Sequence, residues 1–296
     1  TMPLWKLTIL GFINSSTVMK QASTSIGRYL IILLVLLSAP SSSILFAQTT
    51  AKPFKKLVWS DEFNGKGLPD STKWGYDVGR GCPQNCGWGN NELQYYTSKN
   101  TSNARVENGL LVVEAHKENV ADAKYSSARL VTKNKGDWKY GRIDVKAKLP
   151  AGRGMWPAIW MLPTDWKYGG WPHSGEIDIM ENVGFWPDSV LGTVHTNAYN
   201  GMKGTQKTLG MNFKDLSTAF HEYSIEWDAE EIRFYVDNKQ YNSFKNSHKN
   251  VDEWPFDQRF HLLINIAVGG NWGGQKGVDD SIFPQKMWID YVRVYQ

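Results

Sequence analysis

Three carboxylates lie close together in the segment Gly175–Asn182, at Glu176, Asp178 and Glu181. If this segment is a β-strand, its alternation puts Glu176 and Asp178 on one face and apolar side chains on the other. A regular strand would turn Glu181 toward the apolar face, and a one-residue bulge near Met180 would return it to the acidic face. Adjacent carboxylates on a strand face are destabilising unless a site uses them, so the pattern indicates a functional site.

Glycoside hydrolysis is the chemistry that suits this spacing. Glu176 and Glu181 stand about four strand steps apart, roughly 13 Å between backbones at ~3.3 Å per residue. Inward-leaning side chains on a bent strand could close to the ~5–5.5 Å of a retaining glycosidase. We expect Glu176 to attack the anomeric carbon, Glu181 to act as acid and base, and Asp178 to hold Glu176 by sharing a proton. The alternatives are a solvated charged strand face or a calcium cluster.

Short β-strands separated by turns account for the sequence from residue 54 onward. Arg142–Leu149 alternates cleanly, and Ile232–Val236 and Gln240–Phe244 flank an Asp-Asn turn that predicts a hairpin. The other predicted strands are Leu57–Phe63, Leu110–Lys117, Ala128–Lys133, Trp156–Leu162, Glu176–Glu181, Leu191–Thr196, His221–Trp227, His261–Val268 and Met287–Tyr295. We therefore expect an all-β fold, either an antiparallel sandwich or a barrel.

Composition and charge exclude several classes of protein. The 296 residues are 41% hydrophobic and 21% charged, which excludes a disordered or collagen-like chain. The net charge is +4, but residues 1–47 hold three basic residues and no acidic one. Residues 48–296 therefore hold 30 basic and 29 acidic residues, a net of +1, and we expect no nucleic-acid partner. The 14 tryptophans exceed what a core usually requires.

Residues 1–47 are predicted to comprise an upstream extension and a secretory signal peptide. Lys20 and Arg28 precede the apolar run Tyr29–Leu37, and small residues follow as far as Ala47. A membrane-spanning helix needs about 20 apolar residues, so this run is too short for an anchor. We expect a secreted protein, periplasmic or extracellular, with no membrane association after signal cleavage and a single domain over residues 48–296.

Several segments match one known family in order along the chain. They are Val58–Phe63, Trp88–Tyr96, Gly154–Met161, Glu176–Glu181, Val194–Thr196, Gly269–Gly274 and Trp288–Val294. Together they resemble glycoside hydrolase family 16 in its laminarinase-like form, and Glu-Ile-Asp-Ile-Met-Glu matches the bulged ExDxxE signature of that family. The resemblance implies a β-jelly-roll sandwich of two antiparallel sheets, with a concave substrate cleft in a single glycoside hydrolase catalytic domain.

The resemblance also implies an activity, which is endo-hydrolysis of laminarin-type β-1,3-glucan with retention of configuration by double displacement. It implies Glu176 as nucleophile, Glu181 as acid/base and Asp178 as the assisting acid. The alternative substrates are mixed-linkage β-1,3-1,4-glucan or a galactan. The alternative function is a non-catalytic glucan-binding protein, which would be expected to lose one or both catalytic glutamates. We expect a monomer whose partner is the β-glucan polysaccharide.

Tryptophans near the acids are candidate substrate-binding residues. Trp156 and Trp160 fall on the same face of a predicted strand, where they could cover sugar rings or pack in the core. The resemblance places these two, with Trp272, along the cleft. Trp171 lies in a Gly-rich stretch predicted to be a loop and is a weaker candidate for the same surface.

Three polar residues complete the predicted substrate-binding set. His195 resembles the family histidine near the acid/base residue, where it would donate to substrate or to a carboxylate; a structural histidine is the alternative. Asn90 and Arg129 could hydrogen-bond sugar hydroxyls. For Arg129, a surface salt bridge is an equally good explanation.

Two further features concern stability rather than chemistry. Cys82 and Cys86 could form a short-loop disulfide in an exported protein, and two thiols without a nearby histidine are an incomplete zinc site. We expect no cofactor for catalysis. The resemblance implies a structural Ca²⁺ held by Glu62, the carbonyl of Gly109 and Asp290, all oxygen donors of the kind that Ca²⁺ prefers. Asp290 could instead be an ordinary strand-face acid.

Overall fold

The computed structural model describes residues 54–296, so the predicted extension and signal peptide lie outside the described residues. Three short 3₁₀-helices, Cys86–Gly89, Gly201–Lys203 and Asp280–Ile282, interrupt a chain of strands. Within residues 54–296, no helix has the length and apolar character needed to cross a bilayer. The strands are β1 (Leu57–Asp61), β2 (Gly75–Asp77), β3 (Gln94–Tyr96), β4 (Ala104–Glu107), β5 (Leu110–Val120), β6 (Ala123–Ser127), β7 (Arg129–Val131), β8 (Asp137–Trp138), β9 (Gly141–Lys148), β10 (Met155–Pro163), β11 (Glu176–Val183), β12 (Trp186–His195), β13 (Lys207–Asn212), β14 (His221–Trp227), β15 (Glu231–Val236), β16 (Lys239–Lys245), β17 (Phe260–Val268) and β18 (Gln285–Tyr295).

These strands form two sheets. The first, here called the β11 sheet, has the order β13–β12–β11–β10–β17–β7–β2, with β8 beside β17. The second, the β9 sheet, has the order β16–β15–β14–β9–β18–β5–β6–β3, with β1 beside β18 and β4 beside β5. Most pairings are antiparallel, and β3 pairs with β6 in parallel. Neighbouring strands are often distant in sequence, as a jelly-roll requires. The predicted all-β jelly-roll sandwich is confirmed, and the barrel alternative is wrong.

Apolar side chains from both sheets fill the space between them. Met287 and Ile289 of β18 are fully buried. Every residue of β17 is at least nine-tenths buried. Ile177 and Ile179 of β11 belong to the same apolar cluster. The acidic strand is therefore anchored through its apolar face, and its polar face is turned outward from the core.

A β-bulge interrupts β11 at the position that the sequence predicts. Asp178 pairs with Trp160 of β10, but Met180 pairs with Ile159, so two steps along β11 match one step along β10. The pairing of β11 with β12 shifts over the same stretch. The extra residue changes the alternation of the strand, and Glu181 returns to the side of Asp178.

The packing of β11 leads to a stability prediction. Ile179 is 1% exposed, and replacing it with alanine leaves a cavity beneath the acids. We expect Ile179→Ala to lower the free energy of unfolding by about 2–5 kcal/mol, measured by urea denaturation. The control is Leu209→Ala on edge strand β13, where the side chain is 51% exposed and the change should stay within about 0.5 kcal/mol. Equal effects of the two substitutions would contradict this account of the core.

Candidate active site

Glu176 is the first residue of β11, and its carboxylate is held from two sides. The indole N–H of Trp171 donates to Glu176 Oε2 at 2.6 Å. On the other side Glu176 shares a hydrogen bond with Asp178, which requires a proton on one of the two acids. Burial, followed by the charge of Glu176 and this hydrogen bond, raises the pKa of Asp178 well above its usual range. The proton therefore lies on Asp178, and Glu176 is the carboxylate.

His195 faces these two acids from the neighbouring strand β12, where it pairs with Glu176 in register. The backbone N–H of Gly201 donates to His195 Nδ1 at 3.2 Å, so the neutral ring carries its hydrogen on Nε2. That Nε2 lies 3.4 Å from Asp178 Oδ2. The predicted approach of His195 to the acids is thus found, and the nearest contact is with Asp178. The ligand atoms of Glu176, Asp178 and His195 lie within 4.8 Å of one another, a spacing that could also hold a metal ion.

Glu181 lies beyond the bulge in a different environment. Burial is the main cause that raises the pKa of Glu181 to about 8, and proximity to Asp178 acts in the same direction. His195 and a hydrogen bond from the Trp156 indole, 3.1 Å from Trp156 Nε1 to Glu181 Oε1, act in the opposite direction. At neutral pH Glu181 is therefore protonated and can donate a proton, whereas Glu176 can act as a nucleophile.

The predicted cleft tryptophans lie beside the acids. Trp156 and Trp160 on β10 are partly exposed, and so is Trp272, whose ring meets that of Trp156 edge-on at 5.5 Å. The core-packing alternative for the pair on β10 does not fit their exposure. Trp160 donates from Nε1 to Asn265 Oδ1 at 2.8 Å, which fixes the plane of its indole.

Arg129 extends this aromatic surface along the sheet. Its guanidinium lies between the rings of Trp88 and Trp160, 4.5 and 4.6 Å from their centroids. Asp77 on β2 pairs with Arg129 Nε at 3.0 Å, and Arg129 is only 7% exposed, so this is not a surface salt bridge. Neighbouring strands are ~4.8 Å apart, which puts β7 about 14 Å from β11. Arg129 therefore lies several strands along the sheet from the carboxylates.

The sequence assigns no role to Trp88 and makes Trp171 only a weaker candidate, yet both contact predicted site residues. In the sequence Trp88 lies between two glycines at the start of a segment that matches the family, and the structure gives it a φ of +53°, which is unusual for a bulky residue. Trp171 follows two glycines in a stretch without periodicity. Neither position has a strand pattern from which its direction could be inferred.

Asn90 belongs to a loop that is tied to the cleft by several contacts. Asn90 Nδ2 donates to the buried carboxylate of Glu92 at 3.4 Å, and the Asn90 carbonyl accepts from Asn271 N at 2.7 Å. A disulfide joins Cys82 and Cys86 in the preceding segment, as the sequence suggested. The Asn90 loop and the Trp272 loop therefore support one another at this end of the sheet.

Strand register brings the backbone positions of the predicted calcium ligands near one another in the β9 sheet. β1 and β5 pair with the same edge of β18, one after the other, so Glu62, Gly109 and Asp290 lie at their junction. Two carboxylates and a carbonyl form a donor set that fits Ca²⁺. Both carboxylates are ion-paired, Glu62 with Arg293 at 2.8 Å and Asp290 with Lys146 at 2.8 Å, so an ion would have to replace these contacts.

Comparisons with known proteins agree with this geometry. A family model for the glycosyl hydrolases of family 16 matches residues 91–293. A β-glucanase from Rhodothermus marinus is 55% identical over 251 residues, which cover 82% of this chain and 86% of that protein. The glucan endo-1,3-β-glucosidase A1 of Niallia circulans is 41% identical over 81% of this chain and 38% of its own length. The crystal structure of the Rhodothermus marinus laminarinase superposes with a TM-score of 0.78 at 54% identity and covers 81% of this chain and 97% of that one.

The environment of Glu181 predicts the alkaline limb of the pH profile. Because Glu181 must be protonated to act as an acid, we expect kcat/KM for glycoside hydrolysis to fall as the pH rises through about 8. Trp156→Phe removes an N–H that favours the ionised form of Glu181, so its alkaline limb should move to higher pH. Trp160→Phe is the control, because that indole donates to Asn265 and its loss should leave the limb in place. A limb that stays or moves lower in Trp156→Phe would contradict the assignment.

Proposed function

The chain belongs to family 16 of the glycosyl hydrolases, and on this premise we propose that it hydrolyses β-1,3-glucan with Glu176 as nucleophile and Glu181 as acid and base. The observation that carries the proposal is the unequal environment of two glutamates on one strand. Trp171 and a protonated Asp178 hold Glu176 as a carboxylate, whereas burial keeps the proton on Glu181. A nucleophile beside an acid is the pair that the first step needs.

The reaction proceeds in two displacements at the anomeric carbon. First, a Glu176 oxygen bonds to that carbon, the glycosidic C–O bond breaks, and the Glu181 proton passes to the leaving oxygen. Second, a water oxygen attacks the same carbon and its proton passes to Glu181. As the water oxygen bonds to the carbon, the bond to Glu176 breaks and its electron pair returns to the carboxylate. Two inversions retain the configuration, and no step requires a cofactor.

Asp178 and His195 support the two glutamates. A protonated Asp178 donates to Glu176 while adding no second charge to the buried strand. His195 Nε2 lies 3.4 Å from Asp178 Oδ2, so the imidazole borders the Asp178 carboxyl group on the side of β12. In this arrangement Asp178 is the assisting acid, and it separates the protonation states of its neighbours.

An uncharged glucan is the substrate class that this cleft favours. Trp156, Trp160 and Trp272 can cover the C–H faces of sugar rings, and Asn90 can bind hydroxyls. The charge of Arg129 is already balanced by Asp77, so it does not create a site for a sulfated polymer. The names of the two relatives reported above also describe glucan-cleaving enzymes. Mixed-linkage glucan, a galactan or glucan binding without catalysis are the outcomes that a substrate test must separate.

We also propose that the protein is exported and acts as a monomer on its polysaccharide. The basic residues and the short apolar run before Ala47 support export. Sugar binding explains the exposed tryptophans of the catalytic cleft, so a subunit interface is not needed to explain them. Structural Ca²⁺ at Glu62, Gly109 and Asp290 is a further proposal, supported by the strand register that brings these positions near one another along β18.

Product analysis on a panel of polysaccharides tests the proposed function. Laminarin, barley mixed-linkage glucan, agarose and carrageenan are incubated with the wild type and with Glu176→Gln. We expect short oligosaccharides from laminarin with the wild type. Glu176→Gln keeps the shape of the side chain but removes the nucleophile, and its rate should be lower by about 10³-fold or more.

The other outcomes of this panel separate the alternatives. Cleavage of agarose or mixed-linkage glucan in preference to laminarin would keep the carboxylate chemistry and contradict the substrate. No cleavage by the wild type, together with retardation in a laminarin affinity gel, would favour a binding protein. Full activity in Glu176→Gln would contradict the role of Glu176.

Chelation tests the calcium proposal. Removal of bound Ca²⁺ should lower the melting temperature, because an ion that binds only the folded state stabilises it. Adding Ca²⁺ back should restore the melting temperature of the wild type but not that of Asp290→Asn. A melting temperature that does not change on chelation, in protein shown by elemental analysis to be metal-free afterwards, would contradict the site.

A further inference from the structure

Trp171 helps to hold Glu176 as a carboxylate, but neither displacement described so far assigns it a part in a reaction step. Its indole N–H donates to Glu176 Oε2 at 2.6 Å, and its ring lies 5.9 Å from the ring of His195. Trp171 is 37% exposed, so packing in the core does not explain its position. We propose that Trp171 is a positioning residue for the nucleophile and that its N–H speeds the breakdown of the glycosyl-enzyme. This inference rests on the proposed function.

The loop that carries Trp171 is built to hold its shape without substrate. Ser174 is fully buried; its hydroxyl donates to the Gly169 carbonyl at 2.6 Å and accepts from Tyr168 N at 3.0 Å. The buried amide of Gln258 donates to the Ser174 carbonyl at 3.1 Å. Gly175 has a φ of +85°, and a Cβ there would lie 2.9 Å from the ring of Phe256. The indole is therefore presented to Glu176 from a fixed loop, which lowers the cost of orienting the carboxylate.

The chemistry of an indole N–H suits this position. It donates and cannot accept, so it holds the Glu176 carboxylate without taking part in proton transfer. Its hydrogen bond is stronger when the acceptor is charged. Trp156 gives Glu181 the same kind of contact, at 3.1 Å. Each glutamate thus has its own indole donor, and the shorter of the two hydrogen bonds is made to the nucleophile.

The two steps depend on this hydrogen bond in opposite ways. In the first step, the negative charge of Glu176 decreases as its oxygen bonds to the anomeric carbon, so the hydrogen bond to Trp171 weakens. In the second step, the bond from that carbon to Glu176 breaks, and its electron pair and the negative charge return to the carboxylate. The attacking water gives its proton to Glu181. The N–H therefore stabilises the second transition state relative to the glycosyl-enzyme.

A substrate with an activated leaving group separates the two steps. In a dinitrophenyl β-laminaribioside the leaving group departs without a proton, so kcat reports the breakdown of the glycosyl-enzyme and kcat/KM reports its formation. We expect Trp171→Phe to lower kcat by about 10- to 100-fold, with a parallel fall in KM and a smaller change in kcat/KM. Rapid quenching should then show a higher fraction of variant than of wild-type enzyme carrying a sugar on Glu176.

Trp186→Phe is the matched control, because Trp186 is 42% exposed on β12 and its indole has no role in the reaction. Its kinetics should equal those of the wild type. If the wild type is active, an equal fall of kcat and kcat/KM in Trp171→Phe, or no change in either, would overturn this inference. The proposed function would not be affected. A wild type that cleaves neither laminarin nor the activated glycoside would overturn the proposed function and the inference with it.

Discussion

Three carboxylates along one strand, two of them in environments that disfavour charge, cannot all be ionised together, because each negative charge would lose its hydration and repel the others. Asp178, which is 2% exposed, meets this constraint by keeping a proton that it shares with Glu176. Glu181 meets it by a pKa raised to about 8. Glu176, at the start of the strand, is left as the ionised member. The different roles of the nucleophile and the acid therefore follow from which of the three carboxyl groups is ionised.

The surrounding structure keeps this distribution in place. The acidic strand cannot turn, because Ile177 and Ile179 are packed into the core, and the bulge fixes which side chains share its polar face. Besides the Asp178 carboxyl group, the indoles of Trp156 and Trp171 donate to the glutamates, and they stabilise a carboxylate without exchanging protons with it. Proton transfer is therefore confined to the carboxyl groups, the substrate and water.

Hydrogen bonds and ion pairs also fix the side chains in the rest of the cleft, along the β11 sheet. Trp160 is hydrogen-bonded to Asn265, and Asn265 in turn donates to the hydroxyl of Tyr96 at 3.0 Å. Farther along, the guanidinium of Arg129 lies between two indoles and is neutralised by Asp77. These contacts give a surface that is rigid, aromatic and nearly neutral, which is suited to the ring faces of an uncharged polysaccharide.

The strand pattern and the acid spacing could be predicted from the sequence because both depend on local periodicity. The strand His221–Trp227 and the bulge in β11 are found as predicted. In contrast, β12 begins at Trp186, five residues before the predicted start at Leu191. The prediction missed these residues because the first of them are exposed and show no alternation. The contacts of Trp171 and Trp88 depend on loop geometry and on partners far along the chain, and no residue pattern encodes those. The sequence likewise could not decide whether Arg129 was a surface ion pair, since burial is a property of the folded sheet.

The stereochemistry of the first product is the most direct measurement of the central claim. Proton NMR spectra recorded during the first minutes of laminarin hydrolysis distinguish the two anomers before mutarotation mixes them. With Glu176 as the nucleophile, the β-anomer should appear first and the α-anomer should grow only later. An α-anomer formed first would mean a single displacement by water, and it would contradict the assignment of Glu176 as a nucleophile that bonds to the sugar.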